Sequence, residues 1–327
     1  MLIIKSQFLL LSLSGFGHVS SFSHSWNRKY VLNVVSNIQL STRENTHLFA
    51  ADGPPQYDKF DAVMSNVEML SDGSAMLHIE TKDSIDYKAG NVLALEMEVA
   101  DGMKFENEKN QLDANKNGGW MRGPYTISRS TEKSFDILVK TVGDKSKAFA
   151  SAKPGTPLKF GGKFKVPIVE GIDVDSTKRV VLLSTGVGVG PCIGAIEEIM
   201  KSCKDFPPVE LYASYRTQAE VICPAYLDSL DITWRPIITS EQGRISASLE
   251  NLKMILPSND SALSLEDTHY HIIGNGQMVK EWKEGLAKAG VPEEKVTVEM
   301  YHNFQSDTDS EAVNRIATTI SQCCVTA

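Results

Sequence analysis

The sequence predicts an antiparallel β-barrel domain followed by a doubly wound α/β domain with a parallel sheet. From about residue 57 to 169, apolar and polar residues alternate with a period of two. From about residue 178, short apolar strands alternate with helical segments instead. A chain of 327 residues is long enough for two such domains, each with its own core.

These patterns divide the chain into four predicted segments. Residues 1–50 have the composition of a targeting segment, and residues 51–173 hold the barrel domain. Residues 174–303 hold the α/β domain, and residues 304–327 form a C-terminal tail. The segment Ala51–Gln56 contains two prolines and a glycine and suits a linker.

The first 43 residues contain no Asp or Glu and are rich in Ser and Asn. Their apolar run, Phe8–Phe16, is far shorter than the roughly 20 residues that span a bilayer, so we predict a signal and not a transmembrane helix. Val19 and Ser21 are small enough for a signal-peptidase site, and the following Phe22 resembles the signal-then-transit junction of algal plastid proteins. A plastid location is therefore predicted, with the secretory pathway as the alternative.

Two strands carry the alternation of the barrel half most clearly. Leu93, Leu95, Met97 and Val99 alternate with smaller or charged residues, and the segment Phe135–Thr141 repeats the pattern. Turn signals at residues 71–74 and 153–157 separate the strands, which favours an antiparallel barrel. Residues 101–119 are polar without a period, so they are predicted to form a long loop.

The second half reads as five strands joined by helices, which implies a parallel sheet. Its clearest helix carries Met278, Trp282, Leu286 and Ala289 on one face and ends at Gly290. The predicted strands are Val180–Leu183, Val209–Ser214, Ile232–Ile238, Tyr270–Ile273 and Val296–Tyr301.

Three alternate glycines follow the first of these strands. Gly186, Gly188 and Gly190 precede a helix whose N-terminal N–H groups suit an anion. Pro191 stands where the dinucleotide fingerprint has its third glycine, and the Lys-Ser/Thr pair of a Walker loop is missing. The run predicts a phosphate or dinucleotide site, with a purely structural turn as the alternative.

Charge and cysteine content argue against nucleic-acid binding and against a metal site. The formal net charge of -8 and the lack of a basic run argue against nucleic acid as the main partner. The five cysteines have no metal or iron–sulfur spacing, so no metal site is predicted.

Seven segments resemble motifs of the ferredoxin-NADP reductase family and occur in that family's order. The segment Thr185–Pro191 resembles its nicotinamide-side T-G-x-G-x-x-P turn, and Arg122–Ser130 resembles its R-x-Y-[ST] flavin motif. The others are Tyr87–Met97, Lys153–Pro167, Leu211–Val221, Ile272–Lys280 and Val296–Tyr301. The resemblance covers residues 57 to about 303 and implies a flavin-binding barrel followed by an NAD(P)-binding domain.

The resemblance implies a flavin site, with FAD favoured over FMN. Tyr125 would pack on the flavin ring, Thr126 or Ser128 would bind its O4/N5 edge, and Arg122 would pair with its pyrophosphate. Arg122 lies three residues before the tyrosine instead of two. The other predicted flavin contacts are Ile127, Val139, Lys140, Gly161, Gly162 and Lys163.

The resemblance also implies a pyridine-nucleotide site. Ser214 and Arg216 stand where an acidic residue would bind the ribose of NAD, which favours NADPH over NADH. Arg244 is a second candidate for the 2′-phosphate. The other predicted contacts are Thr185, Gly186, Gly188, Pro191, Gly274, Asn275, Gly276 and Met278.

The predicted catalytic set is Tyr125, Thr126, Ser128, Glu299 and Tyr301. The resemblance places Glu299 and Tyr301 at the nicotinamide–flavin junction, although 26 residues follow Tyr301 in this chain. Either Tyr301 is held differently from its counterpart in the family or the tail folds back over the site.

The predicted activity is hydride transfer from NAD(P)H to FAD and electron transfer onward. Ferredoxin, a haem protein, a quinone and a small oxidant are open as acceptors, and Lys153, Lys159, Lys163 and Lys165 are a candidate basic patch for an acidic partner. A regulatory or sensor module without turnover and an interaction subunit without cofactor are the alternatives.

Overall fold

The structure is a computed structural model that describes residues 57–99, 105–202, 205–256 and 263–324. The predicted targeting segment and the predicted linker lie outside the described residues. Two sheets form the described part, one antiparallel and one parallel, and the fold class predicted from the sequence is confirmed.

The first sheet is a curled antiparallel sheet of seven strands in the order β4-β3-β7-β1-β2-β6-β5. Its apolar residues alternate toward one core, in which Leu77, Leu93, Phe135 and Phe160 are buried. The strands are β1 (Lys59–Ser71), β2 (Ser74–Thr81), β3 (Val92–Glu98), β4 (Trp120–Thr126), β5 (Arg129–Ser130), β6 (Ser134–Lys140) and β7 (Pro157–Gly161). Two helices accompany them, α1 (Glu108–Lys116) and α2 (Asp144–Ala150).

Helix α1 lies within the segment predicted to be a loop, so that prediction is wrong for residues 108–116. The side chain of Asn107 accepts a hydrogen bond from the backbone N–H of Lys109 (2.9 Å) and caps the helix. Glu108 in the first turn and Lys116 in the last complement the helix dipole. Because the segment has almost no apolar residues, its sequence carries no periodic signal.

The second sheet has five parallel strands in the order β10-β9-β8-β11-β12. They are β8 (Arg179–Thr185), β9 (Val209–Tyr215), β10 (Thr233–Ile238), β11 (Thr268–Asn275) and β12 (Val296–His302). The helices are α3 (Val189–Ser202), α4 (Pro224–Asp228), α5 (Thr239–Gln242), α6 (Leu249–Ile255), α7 (Gly276–Ala289) and α8 (Ser310–Cys324). The strand order reverses between β8 and β11, and ligands of such sheets bind at the carboxyl ends of the strands beside this switch point.

Helix α3 packs directly on the antiparallel sheet. A Cβ at Gly190 would lie 2.5 Å from Ser128 Oγ and 2.8 Å from Leu138 Cβ. A Cβ at Gly194 would overlap the Ser128 carbonyl oxygen. Glycines therefore allow the close contact that places helix α3 and the carboxyl end of β8 beside strands β5 and β6.

The C-terminal tail forms helix α8, which packs against α7 and α6. Ile316 and Ile320 are fully buried in the core that also holds Trp282 and Leu286. Tyr301 packs in the core on the other face of the parallel sheet. The tail therefore does not fold over Tyr301, and the chain turns away at Asn303, which has a positive φ of 58°.

No helix in the described ranges combines the length and the apolar character that crossing a bilayer requires.

Candidate functional site

A buried hydrogen bond joins the two sheets. The hydroxyl of Thr126, the last residue of β4, donates to the carboxylate of Glu299 in β12. The side chains are 173 positions apart in sequence, and both residues are buried. The contact brings together two residues that were predicted to act at the same reaction centre.

The protonation of Glu299 depends on opposing effects. Burial raises the pKa of the Glu299 carboxyl, while the charge of Lys165 and the hydrogen bond from Thr126 lower it. Burial also lowers the pKa of the Lys165 ammonium, against the opposite effect of Glu299. The Lys165 ammonium donates to the Val298 carbonyl oxygen. Glu299 is thus a buried acid with one nearby cation and one hydroxyl donor.

Tyr301 and Cys192 lie close to this pair. Burial, and then the charge of Glu299, raise the pKa of the Tyr301 phenol, which also interacts with the Thr126 hydroxyl. Burial and Glu299 raise the pKa of the Cys192 thiol as well. A helix N-terminus favours a thiolate in general, but Cys192 is fully buried in an apolar core and stays protonated.

Arg122 and Tyr125 lie on opposite faces of β4. A separation of three residues in a strand gives this result, whereas the two-residue spacing of the resembling motif keeps both side chains on one face. Tyr125 pairs with Leu93 and packs edge-on against Phe149, with ring centroids 5.3 Å apart. Its ring therefore contributes to the antiparallel core, and its predicted packing on a flavin stays a prediction.

Arg122 is held by neighbours within its own sheet. Its guanidinium lies over the Tyr57 ring at 4.9 Å, and Nε lies 3.7 Å from Glu96 Oε1. Glu96 is buried and also pairs with Lys59 at 2.8 Å. An anion at Arg122 would therefore have to compete with an existing carboxylate.

The two residues after Thr126 make hydrogen bonds within the antiparallel sheet and its loops. The backbone of Ile127 pairs with Gly90 and Asn91 (3.0 and 2.9 Å). The Ser128 hydroxyl accepts a hydrogen bond from the Leu138 N–H (3.2 Å) and lies against helix α3. Ser128 is fully buried, and its described contacts are with strand β6 and helix α3.

The remaining predicted flavin contacts lie in the antiparallel sheet or directly after one of its strands. Val139 is buried in its core, whereas Lys140 is exposed and lies 3.6 Å from Glu220. Gly161 pairs with strand β1. Gly162 adopts a positive φ of 76° beneath the Phe164 ring. Lys163 donates to the Asp86 carbonyl oxygen (2.7 Å).

The glycine run divides into an open part and a packed part. Gly186 adopts a positive φ of 52°, and a Cβ there would meet no atom within 4 Å. A Cβ at Gly188 would lie 3.0 Å from the Ile273 carbonyl oxygen, and Ile273 pairs with Glu299. Gly190 contacts the antiparallel sheet, and Pro191 is buried in the first turn of α3. The open backbone at Gly186 is the part that a ligand can approach.

The turn after β11 is adjacent to this open part. Thr185 Oγ1 accepts a hydrogen bond from the Asn275 N–H (2.7 Å), and the Asn275 side chain caps helix α7. Gly274 and Gly276 allow close approach to Thr185 and to the Asn303 carbonyl oxygen, respectively. Met278 is buried in the core behind the turn. Two strand ends thus meet beside Gly186.

The two candidate arginines for a nucleotide phosphate differ in their contacts. Arg216 is exposed just after the end of β9, and it pairs with no acidic side chain among the described residues. Ser214, two residues earlier, is buried within the strand. Arg244 lies 3.0 Å from Asp309 Oδ2 and 3.4 Å from the buried Glu281. Arg216 is therefore available to an anion, and Arg244 is already paired.

Sequence reasoning misplaced Lys165. It was grouped with a candidate surface patch, but it is half-buried, and its ammonium donates to the carbonyl oxygen of Val298, the residue before Glu299. Two other members also have partners, since Lys159 lies over the Trp120 ring at 4.3 Å and Lys163 binds Asp86.

A buried histidine pair was not predicted from the sequence. His269 and His271 lie in β11 and are both buried. Burial lowers the pKa of His269 to about 4, with a further effect of Lys295. Burial, then Lys165 and His269, lower the pKa of His271 to about 3. Both rings are therefore neutral at neutral pH.

We expect this pair to destabilise the fold in acid. Between pH 6.5 and 4 the unfolded chain binds more protons at these histidines than the native chain, so stability falls as the pH falls. The free energy of unfolding should be about 3 kcal/mol lower at pH 5.5 than at pH 7.5 through this effect. Urea unfolding of the protein and of a His269→Gln/His271→Gln variant at both pH values measures it. Glu299 contributes equally to both proteins, so equal pH dependence in the two would contradict the expectation.

Neither the protein-family models nor the curated protein sequences match this chain. Solved structures do resemble it. The ferredoxin NADP+ reductase from Neisseria gonorrhoeae, with bound FAD and NADP, has a TM-score of 0.59 and 20% identity over 75% of this chain and 99% of that one. The cytochrome b5 reductase domain of Ulva prolifera nitrate reductase has a TM-score of 0.53 and 15% identity over 75% of this chain and 97% of that one.

The flavohemoglobin from Malassezia yamatoensis, with bound FAD and heme, is a third similar structure. It has a TM-score of 0.57 and 17% identity, over 75% of this chain. This chain spans only 60% of the flavohemoglobin's length. The three similarities show that the chain has the two-sheet fold of these reductases.

Proposed function

We propose that the protein is an NAD(P)H-dependent flavoprotein oxidoreductase that binds FAD between its two sheets. The observation that carries the proposal is the buried Thr126–Glu299 contact, in which Glu299 lies on β12, next to one of the two strands that form the switch point of the parallel sheet. It puts a hydroxyl and a carboxyl where the two sheets meet, and Ile273, which pairs with Glu299, lies against the glycine turn at Gly188. The bound FAD and NADP of the Neisseria gonorrhoeae reductase, which has the same fold, support it.

The residues present fit the isoalloxazine end of a flavin. Thr126 offers a hydroxyl to a ring heteroatom, and Tyr301 is a partly buried aromatic wall beside it. Bound FAD would supply the chemistry that accepts hydride from the nicotinamide and releases electrons singly or in pairs. Glu299 would hold or move a proton at the Thr126 hydroxyl, because the hydrogen bond already joins the two.

The pyrophosphate of FAD would be bound by Lys140, and not by Arg122 as the resemblance implies. Arg122 is occupied by Glu96 and Tyr57. Lys140 is exposed, and its contact with Glu220 at 3.6 Å is weak. We therefore assign the flavin phosphates to Lys140 and the backbone at the end of β6, with Arg122 acting on the shape of strand β4.

NADPH is the proposed hydride donor, with NADH as the alternative. Gly186 and the turn at Gly274 would hold the nicotinamide half, and Arg216 would bind the 2′-phosphate. The proposed acceptor is a separate redox partner or oxidant, and ferredoxin, haem proteins, quinones and small oxidants all stay open. The described residues contain no cluster of His, Cys, Asp or Glu suited to a metal ion. A plastid location is proposed from the targeting composition of the first residues.

Arg216→Ala should weaken NADPH use selectively. The variant loses a charge-assisted contact with the 2′-phosphate, so the KM for NADPH should rise about 10- to 100-fold while the KM for NADH changes little. Steady-state rates with both nucleotides and an artificial one-electron oxidant measure this. Arg244→Ala is the matched control, because its guanidinium is already paired. An equal rise for Arg244→Ala would contradict the assignment of Arg216.

A sensor module that binds flavin without turnover is the second candidate. It is favoured by the pairing of Arg122, which withholds a cation from the pyrophosphate. Titration of the full-length protein with FAD and with FMN, followed by flavin fluorescence, tests both candidates. Binding of FAD in preference to FMN supports the proposed site, and absence of binding by either flavin overturns both candidates. Flavin reduction by NADPH then separates the enzyme from the sensor.

A further inference from the structure

A cavity of about 340 Å³ lies where helix α3 packs on the antiparallel sheet. Its lining comes from strands β1, β2, β5 and β6, from α3, and from the segment after β9 that leads into α4. The residues that line it include none that the proposed function assigns to FAD or to the nucleotide. Ligand pockets have volumes of about 300 to 1,000 Å³, so this cavity suits a small molecule and is too small for a dinucleotide.

The wall formed by α3 changes from apolar to charged along the helix. Ile193 is followed at intervals of four residues by Glu197 and Lys201, so the three side chains lie on one face. On the sheet side, Met76 and Leu138 are paired across two strands and both are buried. The cavity therefore has an apolar inner part and a charged rim.

The two carboxylates of the lining already have partners. Glu197 Oε1 accepts a hydrogen bond from the Tyr226 hydroxyl and lies 2.7 Å from Arg129 NH2. At the other side of the rim, Glu68 Oε2 lies 3.6 Å from the His78 ring. These contacts leave little unpaired negative charge in the lining to bind a cation.

Two cationic side chains of the lining retain donors that a ligand can use. Arg129 Nε is buried and has no hydrogen-bond partner among the described residues, although NH2 of the same guanidinium binds Glu197. Lys201 is exposed and pairs with no acidic side chain in the part of the chain that the structure describes. Because buried donors are nearly always paired, the Arg129 Nε–H calls for an acceptor atom.

The outer wall of the cavity has a strained backbone. Cys223 lines the cavity with a positive φ of 49°, which residues other than glycine rarely adopt. It directly precedes helix α4, which brings the Tyr226 ring to 5.4 Å from the Arg129 guanidinium. Strained backbone of this kind is concentrated at sites that bind ligands.

We propose that this cavity binds a small monocarboxylate with an apolar body. One carboxylate oxygen accepts the Arg129 Nε–H, and the Lys201 ammonium at the rim balances the negative charge. The apolar body packs on Met76, Leu138 and Ile193. The Arg129–Glu197 ion pair stays intact, because the ligand uses a different nitrogen of the guanidinium. The proposal is independent of the proposed function.

Calorimetric titration of the full-length protein tests the charge preference of the cavity. The probes are phenylbutyrate, phenylbutyramide and phenylbutylamine, which share an apolar body and differ in the head group. We expect phenylbutyrate to bind about tenfold more tightly than the amide, and the amine to bind most weakly. Equal binding of phenylbutyrate and the amide, tighter binding of the amine, or no binding of any probe would each overturn the proposal.

A variant at the rim tests the role of Lys201. Lys201→Gln removes a charge from an exposed side chain, so the protein should still fold. Its affinity for phenylbutyrate should fall about tenfold, while its affinity for the amide should not change. Lys283→Gln is the matched control, because Lys283 is exposed on α7 and does not line the cavity. Equal affinity of the two variants for phenylbutyrate contradicts the assignment.

Carbon-13 NMR of the methionine methyl groups locates the bound probe. The Met76 signal, identified by its loss in Met76→Leu, should shift in a saturable manner as phenylbutyrate is added. Met97 lies in the core of the antiparallel sheet and not in the cavity lining, so its signal should stay in place. Binding that leaves the Met76 signal unmoved overturns the site. None of these measurements needs flavin, so failure of the proposed function would not change their outcome.

Discussion

Replacement of Thr126 by valine is expected to slow reduction of the bound flavin by NADPH about 100-fold. Valine has nearly the shape of threonine but lacks the hydroxyl that donates to Glu299. The buried carboxyl then loses its donor, so its pKa rises further above the ordinary value and the carboxyl is held in its neutral form. Stopped-flow absorbance under anaerobic conditions gives the rate.

Thr126→Ser is the matched control, because serine keeps the hydroxyl at the end of β4. It should retain most of the rate. Flavin content must be measured for each variant, so that loss of cofactor is separated from loss of rate. A Thr126→Val protein that binds flavin and is reduced as fast as the unmodified protein would show that the Thr126–Glu299 contact is structural only.

Gly190→Ala is expected to lower the free energy of unfolding by about 3 kcal/mol. The new Cβ would lie 2.5 Å from Ser128 Oγ and 2.8 Å from Leu138 Cβ, so helix α3 must move away from the antiparallel sheet. Alanine has the higher helix propensity, so any loss must come from packing. The displacement also separates Gly188 from Ile273, so nucleotide affinity should fall as well.

Gly171→Ala provides the control for this substitution. Its Cβ would meet only Thr297 Cγ2, at an ordinary distance of 3.7 Å, so stability should change by less than about 0.5 kcal/mol. Urea unfolding of both variants measures the difference. Equal stability of the two variants would contradict the close approach of α3 to Ser128.

The sequence predicted the fold well because the burial patterns of the two halves differ. The first half of strand β6 alternates half-buried and buried residues and the strand ends on the exposed Lys140, whereas all residues of β8 except the last are buried. Helix α1 was missed because it is stabilised by the Asn107 cap and by end charges instead of an apolar face.

The candidate site was predicted less completely than the fold, because the partners of its residues come from distant segments of the chain. Thr126 and Glu299 were both predicted, and the structure brings them together. Arg122 was assigned to an anion, but the buried Glu96 that holds it lies on a neighbouring strand. Ser128 was assigned to the flavin, but the glycines of α3 cover it. Periodicity shows which face a residue occupies, but it does not show which partner reaches that face.

The most direct test of the proposed oxidoreductase activity is the visible absorption spectrum of the protein loaded with FAD. The spectrum is recorded before and after NADPH is added in the absence of oxygen. We expect oxidised-flavin bands that bleach when NADPH is added and return when a one-electron oxidant follows. A protein that binds FAD and whose bands persist with both NADPH and NADH would contradict the oxidoreductase and leave a flavin-binding module. A protein that stays colourless would contradict the flavin site itself.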